Sequence, residues 1–146
     1  MSDAKAHVER AWQAYIRHDL DSLMEAYAED AVLSVPGAPP AQGHDAIRQV
    51  WGSFLSAFPD DSPSITRIVA EGSTVVVEFS SGGTNSGPLA LPTGETLPPT
   101  GRTVHLSGLS IADLEDGRIK RESFYWDSLS FAAQLGLLPE PAAQTA

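Results

Sequence analysis

Residues 103–127 read TVHLSGLSIADLEDGRIKRESFYWD. Two runs with strand character, 103–114 and 118–126, flank Asp116-Gly117, and glycine accepts the positive φ that tight hairpin turns demand. A two-residue loop there sets Glu115 opposite Arg118 and fixes the register beyond them. Leu114 then faces Ile119, Ser110 faces Ser123, Gly108 faces Tyr125 and Leu106 faces Asp127. Because alternate residues share a face, one side is expected to carry Leu106, Gly108, Ser110, Ala112, Leu114, Ile119, Arg121, Ser123, Tyr125 and Asp127. That set is small or apolar apart from Arg121, Tyr125 and Asp127, which is the character of a pocket lining. The opposite side, with His105, Asp113, Lys120 and Glu122, reads as wetter, and its Leu109, Phe124 and Trp126 suit a dimer surface. A bulge near Gly108 would exchange half of the two sets.

Upstream of the hairpin the pattern changes from strands to helices. Ile65–Ala70 and Thr74–Phe79 are rich in β-branched residues and are joined by the turn Glu71-Gly72-Ser73. Before them, Ile47, Val50, Trp51, Phe54, Leu55 and Phe58 recur at helical spacing from Asp45, and Pro59 stops that helix. Val8, Ala11, Trp12, Tyr15 and Ile16 predict a first amphipathic helix of roughly four turns. Asp19 and Asp21 offer caps for a second helix carrying Leu23, Met24 and Tyr27, followed by a short strand at Ala31–Val35. Residues 82–101, dense in Gly, Pro, Ser and Thr, read as a long loop: a cavity border or a surface insertion. A last helix is expected over Ser128–Leu137. Helices first and antiparallel strands afterwards predict an α+β domain over 1–138, a curved, mostly antiparallel sheet wrapped over three N-terminal helices, with a short C-terminal helix. Residues 139–146 are expected to be a disordered tail.

Composition narrows the function. With 146 residues, 42% hydrophobic and 19% charged, the chain can bury a real core. The absence of cysteine removes disulfides, thiolate metal sites and thiol nucleophiles. A formal net charge of −10, from 19 acidic against 9 basic residues, repels nucleic acid, and no basic stripe offsets it. No segment approaches the roughly 20 apolar residues of a membrane span. The opening MSDAKAHVERAW lacks a long apolar run, so no signal peptide is expected and a cytoplasmic location is. His7, His18, His44 and His105 show no metal-ligand spacing, and no phosphate loop, nucleophile elbow or dinucleotide fingerprint occurs.

Four stretches in order resemble the SnoaL-like polyketide cyclases of the nuclear-transport-factor-like superfamily. They are HDLDSLMEAYAEDAV (18–32), GHDAIRQVWGSFLSAFPD (43–60), GGTNSGPL (82–89) with PPTGRTV (98–104), and EDGRIKRESFYWDSLSFAAQLGLLP (115–139). The resemblance implies a cone fold, no cofactor, no metal and a small-molecule substrate, with Asp127 as the acid/base. Similar proteins carry histidine in a Gly-Thr-His-Thr-Gly turn where this chain has Asn85. An aromatic or histidine often precedes the aspartate by four residues, where this chain has Ser123. Both departures imply a roomier pocket for a different substrate.

Such an enzyme performs an intramolecular aldol addition, and a buried carboxylate suits it because desolvation lifts its pKa toward neutrality. Asp127, just before Ser128-Leu129-Ser130, could equally cap the last helix. His105 is a relay partner if the bulge exists. Tyr15, Trp12, Trp51 and Phe54 are core residues or substrate walls, and Asn85 is an enolate donor or a turn residue. Ser110, Ser123 and Tyr125 complete the expected substrate-binding set. Three readings follow: a cofactor-independent cyclase or isomerase acting on a polycarbonyl molecule, a hydrolase opening an epoxide or ester, or a non-catalytic binding or dimerisation module. A second carboxylate in the pocket would favour the hydrolase. A solvated, helix-capping Asp127 is what the inert module predicts. Homodimerisation through the outer sheet face is expected.

Overall fold

The computed structural model describes residues 3–91 and 94–138, so the expected tail lies outside the described residues. Three helices open the chain: α1 (Asp3–Ile16), α2 (Leu20–Glu25) and, after strands β1 (Tyr27–Ser34) and β2 (Ala41–Gln42), α3 (His44–Ala57). Then come β3 (Ser64–Glu71), β4 (Thr74–Thr84), a small hairpin of β5 (Leu89–Ala90) and β6 (Thr96–Leu97), β7 (Thr103–Glu115), β8 (Arg118–Trp126) and α4 (Ser128–Gln134). The main sheet runs β2-β1-β8-β7-β4-β3. Its β1·β8 pairing is parallel and its other pairings antiparallel. This is the expected α+β architecture, with the sheet left open between β2 and β3 rather than closed into a barrel.

Local chemistry explains the element ends. Asp19 caps α2 by accepting from the Ser22 amide (3.1 Å) and hydroxyl (2.7 Å). Tyr27, expected in that helix, begins β1 instead. In the β7–β8 turn Asp116 and Gly117 take φ of 53° and 76°, as the tight hairpin requires. The helices bury Val8, Trp12, Leu23, Met24, Ile47 and Trp51 against the inner sheet residues Val75, Val77, Phe79, Ala112 and Phe124. A second cluster gathers Ala57, Phe58, Leu89, Val104 and Leu135.

One residue decides which side chains face inward. Leu114 pairs with Ile119 as expected, but Asp113 pairs with Arg121, so Lys120 is the extra residue of a bulge. Its ammonium pairs with Asp30 on β1. The β7 half of the expected inner face keeps its direction. Beyond Lys120 the β8 half inverts: Ser110 faces Phe124 and Gly108 faces Trp126. Glu122 and Phe124 are therefore buried, while Tyr125 is 56% exposed.

Candidate active site

A pocket opens between the helices and the inner sheet face, with about 600 Å³ of space including its mouth. Its walls are aromatic. Tyr15, Trp51, Phe54, Trp126, Phe124, Phe79 and Trp12 form a continuous chain of ring neighbours, with successive centroids 5.1–6.1 Å apart. Leu23, Leu106, Ala11 and Pro63 complete the apolar lining. Four of the expected substrate-binding residues, Trp12, Tyr15, Trp51 and Phe54, are among these walls.

Two carboxyl groups break the apolar surface. Glu122, only 3% exposed, sits on the pocket floor. The Tyr27 hydroxyl donates to its Oε1, and the Trp51 indole N–H donates to the Tyr27 oxygen at 3.1 Å. Its other oxygen, Oε2, has no hydrogen-bond partner among the described residues. Burial pushes the Glu122 carboxyl up to about 7, against the smaller opposing effect of the Tyr27 hydrogen bond. Burial also holds the Tyr27 hydroxyl well above its usual range, with the Glu122 charge adding to it. Tyr27 therefore remains a donor at any ordinary pH.

Asp61, in the turn that follows α3, is the second carboxyl. Its Oδ2 accepts from the Tyr15 hydroxyl at 2.8 Å and its Oδ1 from the Ser81 hydroxyl. Tyr15 is raised by its own burial first and then by the Asp61 charge. The lining contains no Lys, Arg or His, and no His/Asp/Glu group able to hold a metal occurs among the described residues.

The remaining expected residues lie elsewhere. Asp127 is exposed and caps α4, its Oδ1 accepting from the Ser130 amide at 2.9 Å. His105 is also exposed, its backbone tied to the Gln134 side chain. Tyr125 and Ser123 stand on the outward half of β8, turned there by the Lys120 bulge. Ser110 is buried beside Phe124 with no partner for its hydroxyl among the described residues. Asn85 is fully buried but occupied: its Nδ2 donates to the Ala57 and Gly87 carbonyls, and its Oδ1 accepts from the Thr100 amide and hydroxyl. Through these bonds residues 85–87 are held against the end of α3, and none of the described residues of 85–101 lines the pocket.

This arrangement can be set beside known proteins. A profile of the SnoaL-like domain matches residues 8–122. The chain belongs to the SnoaL-like domain family. IdmH of Streptomyces antibioticus, a candidate polyketide cyclase, superposes on the SnoaL-like chain with a TM-score of 0.73 at 29% identity, covering 91% of this chain and 98% of that one. A candidate SnoaL-like polyketide cyclase of Jannaschia sp. CCS1 gives 0.79 at 17% identity, covering 95% and 98%. An LEH-like epoxide hydrolase of M. tuberculosis gives 0.69 at 20% identity, covering 91% and 89%. The last two likenesses concern the fold alone. Among curated proteins no sequence matches.

Sequence reasoning missed both pocket carboxyls of this SnoaL-like domain. For Glu122 a signal existed: Phe124 and Trp126 lie two and four residues on, so burying that aromatic pair also turns Glu122 inward. Asp61 carried no such signal, because a turn has no periodicity to read.

Proposed function

We propose that this protein is a cofactor-independent cyclase or isomerase that carries out acid/base chemistry on a small, polyketide-like polycarbonyl molecule, with Glu122 as the proton carrier. The supporting observation is a carboxyl raised to about 7 on the floor of an aromatic pocket, with one oxygen free for a ligand. As a carboxylate, Glu122 takes the proton from a carbon between two carbonyls. The resulting enolate carbon adds to a further carbonyl of the same molecule, and the neutral acid returns the proton to the new alkoxide. The addition itself changes no mass, and loss of the new hydroxyl with a neighbouring hydrogen would release one water. Tyr27 and Trp51 hold the carboxyl in place, and the aromatic walls flatten and orient a floppy substrate, a contribution that can equal the acid/base one. An inert module would predict the capping Asp127 that is observed, but gives no account of a half-free buried glutamate. We further propose homodimerisation through the outer sheet face that carries Leu109 and Tyr125, checked by light scattering.

The test is turnover of poly-β-keto and anthraquinone-type esters by the wild type and Glu122→Gln, followed by mass spectrometry. The expected product has unchanged or dehydrated mass. Its formation falls at least about 100-fold in the variant, the lower end of what general acid/base assistance supplies. The wild-type kcat/KM rises with pH through about 7. Equal rates in both proteins overturn the assignment, and loss in Asp127→Asn instead returns the role to Asp127.

A second reading, opening of an epoxide or ester by carboxylate-activated water, draws support from the two carboxyls in one pocket, Asp61 and Glu122. It predicts a product heavier by one water.

A further inference from the structure

The charge of the pocket is one-sided. Asp61 and Glu122 line it, and no cationic side chain does. The ion pairs Arg17–Asp19, Arg48–Asp21, Arg67–Glu78 and Lys120–Asp30 engage other carboxylates, and Asp61 has no cationic partner among the described residues. Its two hydrogen bonds come from neutral hydroxyls, those of Tyr15 and Ser81. An ionised carboxylate offers about four acceptor positions, so two of them remain. Deeper in the same pocket, Glu122 is almost wholly buried and its Oε2 lacks a partner among the described residues.

Ring faces carry negative potential and attract cations within about 6 Å, and Trp12, Tyr15, Trp51, Phe54, Phe124 and Trp126 all line this pocket. A ligand anion entering here loses its water and meets two carboxyls with nothing to compensate it. A neutral ligand gains apolar burial and ordinary neutral hydrogen bonds. A ligand ammonium gains a charge-assisted bond to Asp61 together with the ring faces. The net charge of −10 also draws cations toward the mouth.

Resting on the reading of this pocket as the substrate site, we propose that its ligand is a flat aromatic or polycyclic molecule bearing a protonated amine, with Asp61 as the residue that receives the ammonium and sets specificity. The substrate is thereby narrowed to a basic, non-acidic compound. Carboxylates, phosphates and thioester carriers with phosphate groups are rejected electrostatically.

Isothermal titration calorimetry at neutral pH with 1-naphthylmethylammonium, 1-naphthylmethanol and 1-naphthoate tests this with three molecules of one shape. The ammonium is expected to bind about tenfold tighter than the alcohol, and the naphthoate not to bind detectably. Asp61→Asn removes the ammonium's advantage over the alcohol. Added salt weakens the ammonium and spares the alcohol, a readout in the wild type that does not depend on the variant folding. Naphthoate binding as well as the ammonium, an advantage that survives in folded Asp61→Asn, or no binding by any of the three overturns the proposal. Equal binding of ammonium and alcohol overturns cation selectivity while leaving the pocket a ligand site, whereas the acid/base reading stands or falls separately on turnover by Glu122→Gln.

Discussion

Replacing Glu122 by Gln should change how the stability of the protein depends on pH. A glutamate has an ordinary value of 4.5 and Glu122 is raised to about 7 in the fold, so the folded state holds its proton more tightly than the unfolded chain. Stability from this group is therefore fully present below about 4.5 and lost as pH rises through about 7. The difference corresponds to about 3 kcal/mol, most of it lost between about pH 5 and 8. Glutamine keeps an acceptor for the Tyr27 hydroxyl but cannot ionise, so the variant lacks this slope. Asp19, Asp30 and Asp60 are lowered from 3.8 by hydrogen bonds, in each case the largest cause. Their stabilisation is present above 3.8 and is lost only in more acidic solution, outside the window. Groups common to both proteins cancel in the wild-type minus variant difference. Urea unfolding of both proteins at several pH values measures that difference. The variant should gain on the wild type by about 3 kcal/mol toward alkaline pH, on the order of 10 °C in Tm. Parallel curves would show that Glu122 is not a buried, proton-holding group, and the acid/base argument would go with it.

Three other substitutions probe the parts separately. Asp127→Ala removes the α4 cap to the Ser130 amide and should cost about 1 kcal/mol by thermal melting, with turnover unchanged. Asn85→Ala strips four hydrogen bonds from a fully buried site; a loss of about 3 kcal/mol is expected, and hydrogen exchange at the Thr100 amide should accelerate locally. Gly87→Ala would put a Cβ 1.8 Å from the Ser56 carbonyl oxygen, so the chain around Gly87 must lift from α3, and limited proteolysis should cut there first.

The order of helices and strands was legible because each rests on local pattern: the Trp51-Phe54 face of α3, the Asp116-Gly117 turn and the stop at Pro59. The β7 side of the hairpin was legible for the same reason. What the pattern could not carry was the bulge at Lys120, since the residue that draws it out, Asp30, lies on a strand 90 positions earlier in the chain. That single shift moved Asp127 from the expected pocket to a helix cap and brought Glu122 in. Asn85 shows the complementary difficulty: a turn asparagine and an oxyanion donor share one sequence, and only its four partners separate them.

The hydrogen bond between Tyr27 and Glu122 joins residues 95 positions apart, and the strands that carry them meet in the parallel pairing of the sheet. Contacts of such long range form slowly, because much of the chain must be ordered before they bring any return. The β7–β8 hairpin and the helices can assemble from near neighbours, but the polar floor of the pocket cannot. A chain caught part-way through folding would thus hold an unquenched glutamate and no chamber around it, so the competence of this protein arrives only with its last long-range closure.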